Sequence, residues 1–383
     1  MYRMNAEQKT VVDRARHVAD TAVASSAARV DREGTFPRES IDALGQAGFL
    51  GLTIPAQYGG MSQSLRVAAA VTEELAQRCA STAMIYTMHL CGIASYLAAS
   101  DKTAAHLRAA AQGKHLSTLA WSERGSRSHF WAPISQAVPH DGKLHVTADK
   151  SWVTSAGHAD GYVVSMRTPD AKQPTDTMLA LVLREDKGLR VDGPWAALGM
   201  RGNASAPMRL ENVALGPDRA LSAAGKGLDT MLGVVLPVFQ VCQGALAVGV
   251  AESAVQATQR HLSTQSFAHL NSRLADLPNL RARLAEMRIE TDRARAHVVS
   301  VIDAVEEPGP QTQLLVLEVK AAAAETAVKV TEIGMRACGG AAFSGHLEVE
   351  RHFRDARAAV VMAPTTDQLY DFIGRALCGM EVF

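Results

Sequence analysis

The eleven residues from Lys150 to Asp160 place an aromatic side chain and hydroxyl groups on a strand that ends in a turn. In a pleated strand, side chains alternate between faces, so Trp152 and Thr154 are predicted to project from one side, in a row that begins at Lys150. An indole offers an apolar plate for stacking, and a hydroxyl offers a donor and an acceptor at a ring's edge. The segment therefore predicts a site for a flat ligand. The alternative is an ordinary β-sandwich strand with a half-buried tryptophan.

A second segment, from Leu119 to Ser128, changes from a strand-like run into a loop rich in serine and glycine. Together the two segments resemble the flavin-contacting segments of the acyl-CoA dehydrogenase superfamily. The residues that carry the resemblance are Ala120-x-Ser122-Glu123-x-Gly125-x-x-Ser128 and Lys150-x-Trp152-Val153-Thr154, together with Phe36-Pro37, Leu44 to Pro55, Tyr58-Gly-Gly60, Gly199-Met-Arg-Gly202, Cys338-Gly-Gly340 and Arg354-Asp355-Ala356. Their order and approximate spacing match the family over nearly the whole chain.

Hydrophobic periodicity predicts an α+β chain in three parts. Apolar residues recur every three or four positions from Ala6 to Gly113, short alternating runs separated by Gly, Pro and Asp follow as far as Leu221, and helical periodicity returns from Gly225. We predict an N-terminal helical domain (1–115), a middle β-domain of sandwich or barrel-like type (116–224) and a C-terminal four-helix bundle (225–383). The predicted long helices are Thr230–Leu262, Leu277–Val305 and Gln311–Arg336, and a final helix begins near Thr366.

The resemblance implies an FAD cofactor and assigns residues to it. Ser122 and Thr154 match hydroxyls that contact the isoalloxazine, Trp152 matches an indole that covers it, and Trp121 and Val153 match residues whose backbone groups line it. A serine in a loop is also a common turn residue, which is the alternative for Ser122.

Four further positions carry implied roles with local alternatives. Ser128 matches a serine near the pantetheine phosphate and the flavin, so it is implied in cofactor and substrate binding; simple turn chemistry is the alternative. Gly339 and Gly340 match the glycine pair that holds the adenosine diphosphate of a neighbouring subunit's flavin, or they end a helix. Thr365 matches a threonine that reaches the cofactor, or it caps a helix in Thr365-Thr-Asp-Gln368.

The sequence departs from the family where the reaction needs a base. In that family a carboxylate removes a proton α to a thioester carbonyl while hydride passes from the β-carbon to flavin N5. The usual glutamate position falls on Ala363 and the second position on Phe239, with Gln240 where an arginine usually follows. Asp367 is the remaining candidate for the base. Its alternative role is to stabilise the first turn of a helix.

Two positions that hold the partner subunit's flavin are also altered. The arginine that binds the pyrophosphate falls on Thr264, and the glutamine before the glycine pair falls on Arg336. A guanidinium pairs well with phosphate oxygens, so Arg336 is our candidate for the replaced positive charge.

Three functions follow from these matches and departures. The first is an FAD-dependent oxidoreductase that dehydrogenates an acyl thioester, with a relocated or missing base. The second is a flavin monooxygenase or oxidase on the same fold, and the third is a catalytically silent subunit that completes the site of an active homologue. The resemblance also implies a homo-oligomer, dimer or tetramer, or a hetero-oligomer with a homologue, and an electron-transfer flavoprotein as electron acceptor.

Composition excludes several other classes of protein. Lys plus Arg (39) equal Asp plus Glu (39), which argues against nucleic-acid binding. The five cysteines have no metal-ligand spacing and are expected to be reduced, mostly buried thiols, and the histidines form no ligand pattern. The polar N-terminus and the lack of about 18 uninterrupted apolar residues predict a cytoplasmic protein without a membrane span. The resemblance to the acyl-CoA dehydrogenase superfamily implies a role in fatty acid metabolism.

Overall fold

The computed structural model describes residues 2–127 and 129–382, and its N-terminal part is helical as predicted. The helices are α1 (Ala6–Val18), α2 (Ala24–Glu33), α3 (Arg38–Gln46), α4 (Leu65–Ala76), α5 (Ala80–Leu97) and α6 (Ser100–Ala111). A capping box at Asn5 begins α1, because its side chain accepts from the Gln8 amide and the Gln8 side chain accepts from the Asn5 amide. Helix α5 is buried along almost its whole length and forms the centre of this part.

The middle part is built from two sheets. The strands are β1 (Ser117–Ala120), β2 (Val138–His140), β3 (Lys143–Val153), β4 (Gly161–Arg167), β5 (Thr177–Leu183), β6 (Leu189–Val191) and β7 (Ala206–Leu215). One sheet has the order β1-β4-β5, with β1 parallel to β4; the other is antiparallel, with the order β2-β3-β7-β6. This confirms the predicted β-domain.

Helices return after the sheets and form the predicted bundle. They are α7 (Gly227–Thr230), α8 (Leu236–Thr264), α9 (Pro278–Glu306), α10 (Thr312–Cys338), α11 (Gly340–Phe343), α12 (Val349–Val361) and α13 (Thr366–Leu377), with a small hairpin of β8 (Ser266–Phe267) and β9 (Ser272–Arg273) after α8. The fourth side of the bundle consists of two helices, α12 and α13, because the chain turns at Met362–Thr365. Helix α8 packs against α4, α5, α9, α10 and α12.

One helical stretch, Gly227–Thr264, is long and apolar enough to span a membrane by length and composition alone. Its most apolar window is 83% buried inside the protein. A central bundle helix must be apolar on several sides because other helices surround it, and this burial accounts for its composition.

Candidate functional site

A cavity of about 510 Å³ lies where the β-domain meets α5, α8 and α12. Its walls are mostly apolar and aromatic. The β-domain and its loops contribute Leu119, Trp121, Ser122, Phe130, Ser151, Trp152, Thr154, Trp195, Ala197, Leu198, Gly199, Met200, Asn203 and Ser205. The helical parts contribute Met84 and Met88 of α5, Val235, Leu236 and Phe239 at the start of α8, Arg354, Arg357, Ala358 and Val361 of α12, and Met362, Ala363 and Pro364 after α12. The two segments that resemble the flavin-contacting segments of the family, around Trp121 and around Trp152, therefore meet at one cavity.

Trp152 presents its indole at this cavity with 70% of the residue exposed. The pairing of β3 with β7 shifts between Lys150 and Val153, and Trp152 has a φ of 55°, which is unusual for a bulky residue. The indole of Trp195 meets it edge-on at 6.0 Å between ring centroids. An exposed aromatic held in a strained backbone indicates a binding role rather than a packing role.

The prediction that Lys150, Trp152 and Thr154 project from one face of the strand is wrong for Lys150. The bulge interrupts the two-residue period, so Trp152 and Thr154 reach the cavity while Lys150 is buried on the other side. The Lys150 Nζ lies 2.6 Å from Glu123 Oε1 and 2.6 Å from the carbonyl oxygen of Ser165. Glu123 also accepts from the amides of Ile134 and Ser135 at 2.6 and 2.8 Å, so this ion pair anchors the loop beside the cavity.

Val153 and Thr154 follow the exposed indole in the chain, but only Thr154 lines the cavity. The Thr154 hydroxyl lines the cavity and lies 3.0 Å from the hydroxyl of Ser205, while its carbonyl accepts from Thr118 Oγ1 at 2.9 Å. Val153 is buried and contributes no side chain to the cavity wall. A pair of hydroxyls, each able to donate and accept, thus stands beside the aromatic plate.

Trp121 and Ser122 lie next to the bulge, because the amide of Ser151 donates to the Ser122 carbonyl at 2.8 Å. The Trp121 ring stacks on Phe130 with centroids 5.8 Å apart. Its buried Nε1–H has no acceptor among the residues that the structure describes. Ser128, the other serine of this segment with an implied cofactor role, lies outside the described residues.

The two residues to which the resemblance assigns the base positions, Ala363 and Phe239, both line the cavity, and neither is an acid. Ala363 and Phe239 are wall residues, and within the described ranges 2–127 and 129–382 the only charged side chains in the wall are those of Arg354 and Arg357. Asp367 is exposed in the first turn of α13 and is not a wall residue. The structure therefore does not bring Asp367 to the chemistry that the sequence analysis assigned to it.

Arg354 and Asp355 serve as anchors for the cavity wall. Arg354 pairs with Asp31 at 2.5 Å and with Glu350 at 2.7 Å. The Met200 amide donates to Asp355 Oδ1 at 2.5 Å, and burial raises the pKa of this carboxyl to about 6. A Cβ on Gly199 would lie 2.3 Å from the Arg354 carbonyl oxygen, so only glycine allows the loop to lie this close to α12.

Thr365, Arg336 and the glycine pair lie outside the cavity wall. Thr365 caps α13, because its hydroxyl accepts from the Gln368 amide at 3.2 Å and the Gln368 side chain accepts from the Thr365 amide. Gly339 ends α10 with a φ of 58°, followed by Gly340, and both are exposed together with Arg336. The local roles as cap and helix end are confirmed, while the flavin contacts of these residues stay predictions.

No group of three or more potential metal ligands occurs in the part of the chain that the structure describes. His89 illustrates how a buried histidine is satisfied. Its Nε2 lies 2.7 Å from the Leu50 carbonyl oxygen and its Nδ1 accepts from the Ser117 amide at 3.1 Å, while burial lowers its pKa to about 4.

Cys79, Cys91, Cys242 and Cys338 are buried free thiols and Cys378 is an exposed one, as expected.

Several wall residues were not recognised in the sequence. Phe130, Trp195 and Arg357 come from loops and from α12, and no local pattern marks them as cavity residues. The chain has only four tryptophans, and three of them line the cavity. The rarity of this residue type is therefore the one feature of the sequence that could have indicated Trp195.

Three family models match the chain in order. They describe the acyl-CoA dehydrogenase N-terminal domain (residues 5–113), middle domain (118–213) and C-terminal domain (225–378). The cyclohex-1-ene-1-carbonyl-CoA dehydrogenase of Geobacter metallireducens is 26% identical over 380 residues, which are 98% of this chain and 99% of that protein.

Solved structures show the same fold at lower identity. The butyryl-CoA dehydrogenase of Megasphaera elsdenii has a TM-score of 0.92 at 20% identity and covers 99% of this chain and 100% of its own. PigA with FAD and proline has a TM-score of 0.90 at 16% identity and covers 99% of each chain.

Proposed function

The chain belongs to the acyl-CoA dehydrogenase family, and we propose that it is a flavin-dependent oxidoreductase of that type whose cavity receives an acyl thioester without a carboxylate base at either usual position. The observation that carries this proposal is a single cavity with an exposed indole on one side and Ala363 and Phe239 in its wall. The cofactor is FAD, which supplies a two-electron acceptor when it is bound.

The residues present fit an isoalloxazine ring. Trp152 offers an exposed aromatic face, Thr154 and Ser205 offer hydroxyls, and Trp121 offers an indole N–H that lacks an acceptor among the described residues. The described wall contains no carboxylate that would repel the negative charge of a reduced flavin or a phosphate. We propose that Trp121, Ser122, Trp152, Val153 and Thr154 hold the flavin, with Ser128 between flavin and substrate.

The same wall positions a thioester. Met84, Met88 and Phe239 form an apolar surface suited to an acyl chain, since burying such a chain removes apolar area from water. The amide N–H of Ala363 belongs to a wall residue and has no acceptor among the described residues, so it is available to a substrate carbonyl. Polarisation of that carbonyl lowers the barrier to removal of the α-proton.

Restoring the carboxylate tests the proposal. We expect the purified protein to show flavin absorption in the visible range and to bleach slowly under anaerobic conditions with a panel of acyl-CoA thioesters. Ala363→Glu should increase the bleaching rate by about a hundredfold, because general base catalysis contributes roughly 10²–10⁴ in rate. Asp367→Asn should leave the rate unchanged. A colourless protein that takes up no FAD would contradict the proposal.

A second candidate function is a catalytically silent subunit. The absence of an acid at both wall positions favours it, because a partner with a complete site would supply the base. In that case the protein alone should not bleach at all, and a homologue with glutamate at the equivalent of Ala363 should co-purify with it.

We further propose a cytoplasmic homo-oligomer of fatty acid metabolism, a dimer or tetramer, that passes electrons to an electron-transfer flavoprotein. Arg336, Gly339 and Gly340 would then contact a flavin across the subunit interface, and Thr365 would contact the cofactor. This proposal is supported by exposed apolar side chains on the C-terminal helices, among them Phe343 at 86%. Such surfaces usually contact another protein.

A further inference from the structure

Lys320 is buried in the first half of α10, behind the wall residues Met362 and Pro364. Its exposed fraction is 0%, and its Nζ donates to the carbonyl oxygens of Met362 at 2.7 Å and Pro364 at 2.6 Å. These two carbonyls flank Ala363, the wall residue at the usual base position. No ion pair joins Lys320 to a carboxylate in the described part of the chain, and burial lowers the pKa of its amine to about 7.

A buried ammonium without a carboxylate is costly, so its position calls for an explanation. Part of the explanation is local. Helix α12 ends at Val361, and a cation beside the carbonyl that follows interacts favourably with the negative end of the helix dipole. The two short hydrogen bonds also fix the backbone of the turn between α12 and α13.

The Met362 carbonyl belongs to the same peptide group as the Ala363 N–H. The Met362–Ala363 peptide is trans, the cis bond of this turn being Ala363–Pro364, so the C=O and the N–H point in opposite directions. The oxygen faces Lys320 in the interior. The N–H therefore faces away from Lys320, and it belongs to a residue that lines the cavity.

A cation that binds the oxygen of a peptide group withdraws electrons from it and strengthens its N–H as a donor, as neighbouring hydrogen bonds polarise one another in a low dielectric. We propose that Lys320 is a positioning residue that polarises the Met362–Ala363 peptide, so that the Ala363 N–H binds the thioester carbonyl as a charge-assisted donor. This inference rests on the proposed function, because it assumes a thioester in the cavity.

Matched ligands separate this role from a structural one. The probes are butyryl-, octanoyl- and palmitoyl-CoA and their thioether analogues S-butyl-, S-octyl- and S-hexadecyl-CoA, which keep chain and carrier but lack the carbonyl. Binding is measured by the perturbation of the flavin spectrum of the FAD-loaded protein at pH 6, where the amine is protonated. We expect the thioesters to bind more tightly than the thioethers.

Lys320→Met should weaken thioester binding by about tenfold, the typical strength of a charge-assisted hydrogen bond, and leave thioether binding unchanged. Lys320→Gln keeps a hydrogen-bond donor but removes the charge, and it should also lose the preference for thioesters over thioethers. This variant provides the test if the methionine variant fails to fold. Lys329→Met removes an exposed cation of the same helix and should change neither affinity.

The outcomes distinguish the two proposals. If Lys320→Met or Lys320→Gln keeps the wild-type preference for thioesters, the role of Lys320 is wrong and the proposed function stands. An equal loss of thioester and thioether binding would reduce Lys320 to a purely structural role and overturn the inference. If the wild-type protein binds FAD but none of the six ligands, the proposed function fails as well.

Discussion

At the scale of single residues, we expect cofactor binding to depend most on Trp152. It combines an exposed indole with a backbone conformation that a bulky residue rarely adopts. Such strain persists only where the surrounding structure holds it, and here the buried Lys150–Glu123 pair and the β3–β7 pairing do so.

We expect Trp152→Ala to weaken FAD binding by about tenfold, because stacking on an aromatic ring contributes roughly 0.5–1.5 kcal/mol beyond the apolar area that it buries. Trp152→Phe keeps an aromatic plate and should retain most of the affinity. Titration of the flavin-free protein with FAD, followed by flavin fluorescence, measures both. Equal affinities of the alanine variant and the wild type would mean that the flavin does not lie on this indole.

At the scale of the elements, α4, α8 and α9 are joined by ion pairs between buried and half-buried charges. Glu252 of α8 accepts from Arg288 at 2.6 Å and from Arg295 at 2.7 Å, and Arg295 also pairs with Glu73 of α4 at 2.9 Å. Burial alone would raise the pKa of Glu252, but the two guanidinium groups outweigh it and lower the pKa to about 2. These ion pairs fix the position of α8 against α4 and α9, and Phe239 of α8 lines the cavity.

Glu252→Gln should lower the free energy of unfolding by about 2–3 kcal/mol at pH 7. The native pKa lies below the unfolded one, so the ionised carboxylate stabilises the fold fully above about pH 4.5 and loses this effect as the pH falls towards 2. The difference between variant and wild type in urea denaturation should therefore shrink over that range.

An exposed glutamate provides the control for this measurement. Glu211→Gln removes a carboxylate that is 61% exposed and should change stability by less than about 0.5 kcal/mol. A pH-independent loss in the Glu252 variant would show that packing, rather than charge, is responsible.

At the scale of the whole molecule, large apolar side chains are exposed on the C-terminal helices. They include Ile289 of α9, Phe343 of α11, and Tyr370 and Leu377 of α13. Phe343 follows the glycine pair that the family resemblance assigns to a flavin shared between subunits. Association through this region would therefore couple assembly to cofactor retention.

Phe343→Asp should shift the protein towards its 40.8 kDa monomer in light scattering and reduce the FAD retained on purification, since a charge cannot be buried cheaply in an apolar contact. Val138→Asp alters an exposed apolar residue of the β-domain and should change neither quantity. A variant at Phe343 with unchanged mass would place the subunit contact elsewhere.

The sequence by itself determined the order of the three parts, the long helices and the segments around Trp152 and Trp121. These depend on local periodicity, turn residues and spacing, which are written along the chain. The resemblance to the family assigns Ala363 and Phe239 to the base positions, which stays a prediction; neither a methyl group nor a phenyl ring can accept a proton.

Only the tertiary structure decided which side chains share a cavity. The bulge in β3 removes Lys150 from the row that strict alternation predicts, the start of α13 exposes Asp367, and α10 places Lys320 behind Ala363. These outcomes depend on burial and on contacts between residues distant in sequence, whose energies are set by packing and desolvation rather than by local pattern.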